Sequence, residues 1–414
     1  MLVVRASNLS GKIFVGEKNS FLSQVGHLLG GTKLKGESEG QINILLLGVG
    51  GEGHDGPYLS DSIIVAQIRP KDNRMTLTSI PRDYLADLGT KYGQRKINSA
   101  FAEGFARNSD FDEAGKLARE TVEKISGLTI PYFAVIDFQG FEKAIDLVEG
   151  IDVTVDRTFT DYTYPNNTNG YIPAVTFKEG PEHMNGKRAL IFARSRHAAG
   201  PEGTDFARSQ RQQKMLQAFK TKVVDLNLVT DSGKINSLLD VIGDHFHTNI
   251  GLAEMLHLYE IGKDFSKDNI VSQSLDPATG LVCDGKQEET GAYVILPCQG
   301  KTKTDIRNFF QNSFTATALS KENSVIWLAD SSKTGILYNK AAKTLASAGA
   351  TVLQLSYTGT PLTQNVVYQI NDKPDTLKFI KDNLSASEVT LPPPGVKVNK
   401  DKADLIVILG SGAN

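Results

Sequence analysis

An alternation of apolar runs and helical spacings along the chain predicts an α/β protein. Between residues 41 and 155, short runs typical of buried strands alternate with segments whose apolar residues recur at helical spacing. The same alternation starts again after a break near residues 321–323. Strands that alternate with helices indicate a layered fold, and a chain of 414 residues suits two or three domains.

The first predicted domain covers residues 41–318. Its strand runs are QINILLL, SDSIIVAQIRP, MTLTSI, YFAVIDF and IDVTVD, and its first helical segments are DFDEAGKLARETVEKISG and FEKAIDLVEG. Residues 161–180 have the Asn, Thr, Tyr and Gly content of a surface loop. A long helix is expected within residues 181–222, and further helices with a cysteine-containing hairpin within 225–320.

The second predicted domain covers residues 323–411. Its strand runs are VIWLAD, TVLQLSY, NVVYQI and ADLIVILG, its helical runs are YNKAAKTLASAG and DTLKFIKDNL, and a stiff LPPPGVKV connection precedes the last strand. This module has no charged cluster comparable to that of the first domain. We therefore expect no catalytic role for it, and by exclusion a role in wall binding or another interaction.

The composition excludes some partners for the molecule as a whole. Hydrophobic residues make up 40% and charged residues 22% of the chain, and the formal net charge is -2. This balance argues against a nucleic-acid partner and against a polybasic membrane surface. An anion site must therefore come from a local concentration of arginines.

Residues 1–40 are predicted to be an N-terminal extension without a membrane span. No apolar run there approaches the roughly 20 residues that a transmembrane helix needs. Two interpretations follow: the protein is cytoplasmic, or the chain lacks the anchor of a membrane protein.

The chain has two cysteines, Cys283 and Cys298. The stretch between them contains Gly and Pro, so a disulfide that closes this loop is one interpretation if the compartment is oxidising. Two buried free thiols are the other, and the sequence favours neither.

Four arginines form the most informative cluster, in the segment ALIFARSRH…TDFARSQRQQKML. Arg194 and Arg196 are two residues apart, so in an extended chain both side chains leave the same face. We expect a strand end there. Their planar guanidinium groups donate paired, charge-assisted hydrogen bonds that suit phosphate.

The other part of the cluster is expected on a helix that begins at Asp205 as its N-cap. Arg208, Arg211 and Gln212 then share one helix face. The alternative interpretation is a solvated basic face. The near absence of lysine around these arginines favours a phosphate site, because it indicates geometry rather than charge alone.

Residues Ser79–Asp83 close a predicted strand, which is where ligands bind in open α/β sheets. Arg82 is a candidate fifth arginine of the site, and Asp83 a candidate to orient an arginine or to touch a metal. A Pro-Arg-Asp tripeptide alone is weak support for such a role.

The segment from Gly48 to Asp61 contains five glycines between residues 48 and 56, which permits the close backbone approach that phosphate requires. It matches neither a P-loop nor a GxGxxG fingerprint, so nucleotide binding is not expected. Asp61 and Asp55 are candidate ligands of Mg²⁺, with Mn²⁺ as an alternative. The alternative interpretation is purely structural, with a turn at Asp55 and a cap at Asp61.

Six blocks in order, DSIIVAQIRP, SIPRD, KINSAFAEG, IDVTV, RALIFARSRH and DFARSQRQQ, resemble the LytR-CpsA-Psr family. The resemblance covers roughly residues 40–315, and residues 323–411 resemble the C-terminal domain of LytR-type members. It implies an α/β/α sandwich around a mixed central sheet, with an apolar groove for a polyprenyl tail.

The resemblance also implies an activity and a location. Family members are membrane-anchored on the extracytoplasmic face of the bacterial cell membrane. With Mg²⁺, they move a glycopolymer from a polyprenyl-pyrophosphate carrier to peptidoglycan through a phosphodiester bond. Carried over by motif, the pyrophosphate-binding residues are Arg82, Arg194, Arg196, Arg208 and Gln212. Asp61 is the metal-associated carboxylate, and Arg211 is a further candidate ligand.

Two departures from the family pattern concern the metal and one arginine. Leu59 stands where the family commonly has arginine, and GVGG stands where it commonly has an acidic residue after the first strand. Asp55 is the candidate replacement for that second carboxylate.

In the expected reaction, arginines hold the pyrophosphate while an acceptor hydroxyl attacks the glycan-side phosphorus. Asp83 and Asp205 are the candidate bases. A polyprenyl-pyrophosphate hydrolase and a non-catalytic glycan-binding protein remain alternatives. The lipid groove is expected to be lined by the helices of residues 110–125 and 235–262.

Overall fold

A computed structural model describes most of the chain, namely residues 32–166, 170–226, 243–266, 269–314, 322, 324–332, 336–347, 350–396 and 398–411. Two compact units meet in sequence between Phe310 and Gln311. No helix within these described ranges combines the length and the apolar composition needed to cross a membrane.

The first unit contains the following strands and helices. Its strands are β1 (Ile42–Val49), β2 (Ser60–Arg69), β3 (Arg74–Ser79), β4 (Leu85–Asp87), β5 (Gln94–Lys96), β6 (Tyr132–Asp137), β7 (Ile151–Val155), β8 (Phe159–Asp161), β9 (Val175–Phe177), β10 (Gly180–Met184), β11 (Phe246–Thr248), β12 (Ile270–Ser274), β13 (Val282–Lys286) and β14 (Tyr293–Pro297). Its helices are α1 (Ser99–Asn108), α2 (Phe111–Ser126), α3 (Phe138–Leu147), α4 (Gly186–Arg194), α5 (Asp205–Asp225), α6 (Leu252–Gly262) and α7 (Lys303–Gln311).

A mixed sheet of six described strands, in the order β11-β6-β1-β2-β3-β12, lies at the centre of this unit. Strand β1 is antiparallel to β2 and parallel to β6, while β3 is antiparallel to β2 and parallel to β12. The carboxyl ends of β1, β3 and β6 and the start of β2 therefore lie at one edge of the sheet. Functional side chains gather at this edge.

Helices cover both faces of the sheet. Because strand side chains alternate in direction, Leu45 and Leu47 of β1 join the core formed with α1 and α2, which includes Phe101 and Val122. Alternate residues such as Ile44 face a second core, which α5 and α6 complete. The predicted α/β/α sandwich around a mixed sheet is thus confirmed.

Local signals set several helix boundaries. Helix α2 begins after the side-chain cap Asp110 and ends at Gly127, whose φ of 67° is the left-handed conformation that glycine adopts readily. The predicted helix over residues 110–127 is confirmed. The cap of α5 is Thr204, whose side chain accepts a hydrogen bond from the Ala207 amide, so the prediction of Asp205 as the cap was one residue late.

The segment 161–180 is more regular than the predicted surface loop. Strand β8 ends at Asp161 and pairs with β9, and β10 starts at Gly180 and pairs with β7. The aromatic rings of Phe159 and Phe177, whose centroids are 5.0 Å apart, anchor the β8–β9 pair in a core. Residues 167–169 of this prediction lie outside the described residues.

A disulfide joins Cys283 to Cys298 across the β13–β14 hairpin. Of the two interpretations that the sequence left open, the structure has the disulfide rather than buried thiols.

The second unit has its own sheet and core. Its elements are β15 (Val325–Asp330), α8 (Ile336–Ser347), β16 (Thr351–Gln354), β17 (Val366–Gln369), α9 (Pro374–Leu384), β18 (Ser387–Glu388) and β19 (Leu405–Leu409). The described strands are ordered β16-β15-β19-β17-β18. Leu405 and Val407 of β19 pack with Leu345 of α8 and Ile380 of α9. The expectation of a small α/β region is confirmed.

Candidate active site

A cavity of about 300 Å³ lies between the central sheet and the helices α3, α4 and α5. Its floor consists of alternate residues of three adjacent strands, which the register places side by side: Leu46 and Gly48, Ser62 and Ile64, and Ala134 and Ile136. Its walls are apolar side chains of the helices: Phe141, Ala144, Ile145, Leu190, Ala193, Met215, Leu216 and Phe219.

The position of this cavity corrects the expectation about the groove. Helix α2, which covers most of residues 110–125, packs on the opposite face of the sheet and contributes no lining residue. Of residues 235–262, those up to 242 lie outside the described part of the chain, and Phe246 alone among the rest lines the cavity. The helices that follow β6 form the walls instead.

At the sheet edge, the apolar cavity becomes strongly polar. The residues that line this end are Asp61, Arg82, Asp137, Asp161, Arg194, Arg196, His197, Arg208 and Gln212. Asp61, Arg82 and Asp137 converge because β2 begins and β3 and β6 end there. The end of α4 and the first turns of α5 bring the other arginines to the same edge. The structure therefore brings together Arg82, Arg194, Arg196, Arg208 and Gln212, as the sequence predicted.

Arg82 follows β3 and is held by a carboxylate. Its Nη1 donates to Asp61 Oδ1 at 2.5 Å. Burial alone would lower the pKa of Arg82, but the Asp61, Asp83 and Asp205 carboxylates together outweigh it, and the pKa is raised. The Nε of Arg82 is buried without a hydrogen-bond partner among the described residues, since Asp83 Oδ2 is 3.6 Å away.

Asp83 itself turns away from the cavity. Asp83 is not among the residues that line the cavity, and its Oδ1 accepts a hydrogen bond from Lys96 Nζ at 2.6 Å. The Asp83 carboxylate therefore interacts with Lys96, and its other oxygen lies 3.6 Å from Arg82 Nε. The geometry offers no contact between Asp83 and a ligand in the cavity.

Arg208 projects from the first turns of α5 and is 7% exposed. Burial lowers its pKa, Asp205 opposes that effect, and the nearby Arg82 and Arg196 lower it further. Its Nη1 lies 3.2 Å from Asp205 Oδ1, whereas its Nε is buried without a partner in the described structure. A buried cation with an unused donor has the chemistry to accept an anionic ligand, because charge-assisted hydrogen bonds would offset the cost of its burial.

Arg194 is the last residue of α4, which corrects the expectation of an extended chain at this point. Its guanidinium lies 4.0 Å from the ring centroid of Phe138, and its Nη1 donates to the Tyr164 hydroxyl at 3.1 Å. These contacts fix the direction of the side chain. Arg194 thus reaches the cavity from a helix end rather than a strand end.

Arg196 and Gln212 complete the predicted set. Arg196 follows α4 in irregular chain, and its Nε lies 3.2 Å from His197 Nε2. Gln212 is one turn after Arg208 on α5, and its Nε2 donates to the Ala193 carbonyl at 3.4 Å. Both side chains line the cavity beside the other arginines.

Arg211 is directed elsewhere, so its predicted role as a substrate ligand lacks geometric support. Its guanidinium donates to the Phe192 and Ser195 carbonyls and to the Glu202 carboxylate. Burial lowers the pKa of Arg211 to about 10, with Glu202 opposing that effect. Arg211 braces the segment that carries Arg194 and Arg196, and it does not line the cavity.

The two predicted metal ligands are placed differently. Asp61 lines the cavity beside the arginines, whereas Asp55 is exposed and outside the lining. Within the described ranges, no three His, Cys, Asp or Glu side chains gather as a metal cluster. Mg²⁺ often takes one or two carboxylates together with substrate phosphate oxygens, so the Asp61 carboxylate fits such an ion and Asp55 does not add to it here.

Two carboxylates of the site were missed by the sequence analysis. Asp137 ends β6, caps α3 through the Gly140 amide, and holds His245 Nδ1 at 2.8 Å. Asp161 is 1% exposed, and its Oδ2 has no hydrogen-bond partner in the described part of the chain. The rule that ligands bind beyond strand carboxyl ends could have identified Asp137, which follows the run YFAVI.

Comparison with known proteins places this chain in a family. The LytR_cpsA_psr family model matches residues 11–303. The regulatory protein MsrR of Staphylococcus aureus strain Mu50 is 35% identical over 216 residues, which are 52% of this chain and 58% of MsrR. The chain thus spans little more than half the length of that relative.

A second relative carries an activity in its name. It is the polyisoprenyl-teichoic acid–peptidoglycan teichoic acid transferase TagU of Bacillus cereus, 33% identical over 228 residues, or 55% of this chain and 67% of TagU. Among solved structures, protein gbs0355 of Streptococcus agalactiae has a TM-score of 0.51 at 24% identity, covering 66% of this chain and 89% of that one, which shows the fold. Since the family match spans residues 11–303, this chain belongs to the LytR-CpsA-Psr family.

Proposed function

We propose that this protein moves a glycopolymer from a polyprenyl-pyrophosphate carrier to peptidoglycan through a phosphodiester bond. The observation that carries the proposal is a single cavity with an apolar part and a cationic end. Its apolar part suits an isoprenoid chain, and its polar end presents Arg82, Arg194, Arg196 and Arg208 to the charged head group. The name of TagU supports lipid-linked teichoic acid and peptidoglycan as the substrate classes.

The unsatisfied donors favour a phosphate ligand over a solvated basic face. Arg82 and Arg208 each bury an Nε without a hydrogen-bond partner among the described residues. Leaving such donors unmatched lowers the stability of the free protein, and phosphate oxygens would satisfy them. The arginines are therefore set for an anion that arrives with the substrate.

In this proposal, the charges of the arginines and the orientation of the bound donor account for catalysis. The acceptor hydroxyl oxygen forms a bond to the glycan-side phosphorus, and the bond from that phosphorus to the bridging oxygen breaks. Polyprenyl phosphate leaves and takes up the proton that the hydroxyl loses. The arginines hold the pyrophosphate oxygens and stabilise the charge that grows on the leaving group. The apolar walls fix the lipid and so orient the reacting phosphorus.

A divalent cation, Mg²⁺ or Mn²⁺, is part of the proposal. Asp61 would hold it, and the ion would supply further charge neutralisation at the phosphates. If so, Asp61→Asn raises the Mg²⁺ concentration needed for half-maximal transfer, and EDTA abolishes transfer until Mg²⁺ is restored. Transfer that is unaffected by EDTA would count against a metal.

The outer face of the cell membrane is the proposed location. The disulfide between Cys283 and Cys298 supports it, because disulfides persist in oxidising compartments and are rare in the cytosol. Both proposed substrates are cell-surface polymers or their membrane-bound precursors. Localisation of a tagged full-length protein in fractionated cells tests this part.

The activity is tested with a lipid-linked pyrophosphate glycan and a peptidoglycan acceptor. We expect Mg²⁺-dependent attachment of the glycan to the acceptor, with release of an equal amount of polyprenyl phosphate. Glycan release that never depends on acceptor would indicate a hydrolase, and donor binding without turnover a binding protein. Either result contradicts the proposal.

A further inference from the structure

A second cavity, of about 900 Å³, opens at the same edge of the sheet on the opposite face. Val49 and Val135 line it, and they alternate with the residues that form the floor of the first cavity. Asp137, at the end of β6, lines both cavities. A ligand in the second cavity would therefore lie next to the arginine site.

One wall of this second cavity is a row of flat rings. The ring centroids of Tyr58 and Phe105 are 4.0 Å apart, those of Phe105 and Phe111 are 4.8 Å apart, and Phe111 stacks on His247 at 3.5 Å. All four residues line the cavity. Aromatic surface with a few polar groups is typical of small-ligand and sugar-sized sites, since ring faces pack against C–H groups.

Carboxylates and amides make up most of the polar lining of the cavity, and Ser109, His245 and His247 complete it. The carboxylates are Glu52, Asp110, Asp137 and Asp244, and the amides are Asn108 and Gln139. No lysine or arginine is among the described lining residues. Two of these carboxylates act on the Tyr58 hydroxyl. Burial raises the pKa of Tyr58, and the negative charges of Glu52 and Asp137 raise it further.

These features select the ligand class. Sugar hydroxyls donate to carboxylates and amide oxygens, so a hydroxyl-rich glycan matches the lining. A phosphate-bearing polymer would be repelled by four carboxylates in a described lining that contains no lysine or arginine. The second cavity thus suits an uncharged glycan and excludes the anionic donor.

We infer that the second cavity binds the glycan strand of the acceptor and presents one of its hydroxyls to the first cavity past Asp137. The role as acceptor site rests on the proposed transferase function, whereas glycan binding itself does not. The two cavities would then divide the substrates, with the anionic donor on the arginine side and the neutral acceptor on the aromatic side.

Binding of a neutral N-acetylglucosamine tetramer, measured by isothermal titration calorimetry without donor, tests the site. Glu52 and Gln139 are exposed lining residues, so Glu52→Lys and Gln139→Lys should fold normally. We expect each to weaken binding by ~10-fold or more, since a loss of about 1.4 kcal/mol is tenfold. Glu120→Lys, with the same charge change as Glu52→Lys at an exposed position of α2 outside both cavities, should bind as the wild type does.

Thermal unfolding of each variant confirms its fold before binding is compared. Wild-type protein that does not bind the tetramer, or Glu52→Lys and Gln139→Lys variants that bind it equally well, would overturn the inference. The transfer assay then separates the two proposals. If the wild type transfers, and the Glu52→Lys and Gln139→Lys variants reach half-maximal transfer at the same acceptor concentration, only the inference fails. If the wild type binds the tetramer but never transfers the glycan, only the transferase proposal fails.

Discussion

Arg208 and Arg211 lie one turn apart on α5, and their guanidinium groups have opposite surroundings. Arg208 leaves a buried Nε unmatched and faces the cavity. Arg211 gives its donors to Phe192, Ser195 and Glu202. The first arrangement suits an incoming anion, and the second suits a brace within the fold.

Substitution of each by methionine separates these roles. Arg208→Met should lower transfer about 100- to 1,000-fold, the loss that follows removal of one charge-stabilising donor, without lowering the melting temperature. Arg211→Met leaves buried acceptors and Glu202 unpaired and should destabilise the protein by about 3 kcal/mol. Denaturant unfolding and the transfer assay measure the two effects. Equal destabilisation by both changes would contradict the assignment.

The sequence identified most arginines of the site but not their geometry. The spacing of Arg208 and Gln212 was sufficient to predict that they share a helix face, and both line the cavity. That this face binds an anion stays a prediction. The segment ALIFARSRH was misread as extended chain because two arginines two residues apart fit a strand equally well, and the Asn185 cap of α4 was overlooked. Asp161 has no local signal, since its place in the cavity depends on the β8–β9 pairing.

At the scale of elements, close contact between α3 and α4 sets the position of Arg194. A Cβ on Gly186, the first residue of α4, would lie 2.2 Å from the backbone oxygen of Glu142 in α3. Gly186→Ala must therefore push the two helices apart. We expect it to destabilise the protein by about 1–3 kcal/mol and to weaken donor binding.

Gly262→Ala is the matched control for that change. A Cβ at Gly262, the last residue of α6, meets no atom within 4 Å, so alanine should leave stability unchanged or raise it by up to about 1 kcal/mol. Chemical denaturation and binding of a prenyl pyrophosphate measure both variants. If Gly186→Ala and Gly262→Ala have the same stability and the same donor affinity, the close contact between α3 and α4 at Gly186 does not matter for either property.

The β13–β14 hairpin is closed by the disulfide. Cys283 and Cys298 are 15 residues apart, and a cross-link over a loop of that length contributes about 3 kcal/mol in the chain-entropy account. The double variant Cys283→Ser/Cys298→Ser should lose about that much stability, and a reductant should lower the melting temperature of the wild type alone. An equal response of both proteins to reductant would refute this.

Elements with strong local signals were predictable, and those that depend on distant pairing were not. The helix of residues 110–127 has a cap, a periodic apolar face and a terminal glycine. Strands β11 and β12 were missed because each is short and is stabilised by β6 or β3, more than a hundred residues away in sequence. The same dependence on tertiary pairing hid the position of the cavity.

At the scale of the whole molecule, the chemistry is concentrated in one unit. All described residues that line the two cavities precede the unit boundary, and the second unit has a separate apolar core. The start of the C-terminal domain at residue 323 stays a prediction. We expect a chain that ends at residue 318 to fold and to bind donor with an affinity within about threefold of the intact protein, well under the 1.4 kcal/mol of a tenfold change.

Calorimetry with a prenyl pyrophosphate measures that affinity, and circular dichroism checks the fold of the shortened chain. Loss of donor binding by a folded, shortened chain would show that residues 319–414 take part in the site. Loss of folding would contradict the independence of the two cores.

The central claim is that one cavity holds a prenyl chain against the sheet and its pyrophosphate against the arginines. A crystal structure with a short-chain prenyl pyrophosphate tests it most directly. The account predicts phosphate oxygens within hydrogen-bond distance of Arg82, Arg194, Arg196 and Arg208, and the prenyl chain between the sheet and α3, α4 and α5. A prenyl chain on the α1–α2 face, or phosphates away from Arg82 and Arg208, would contradict it.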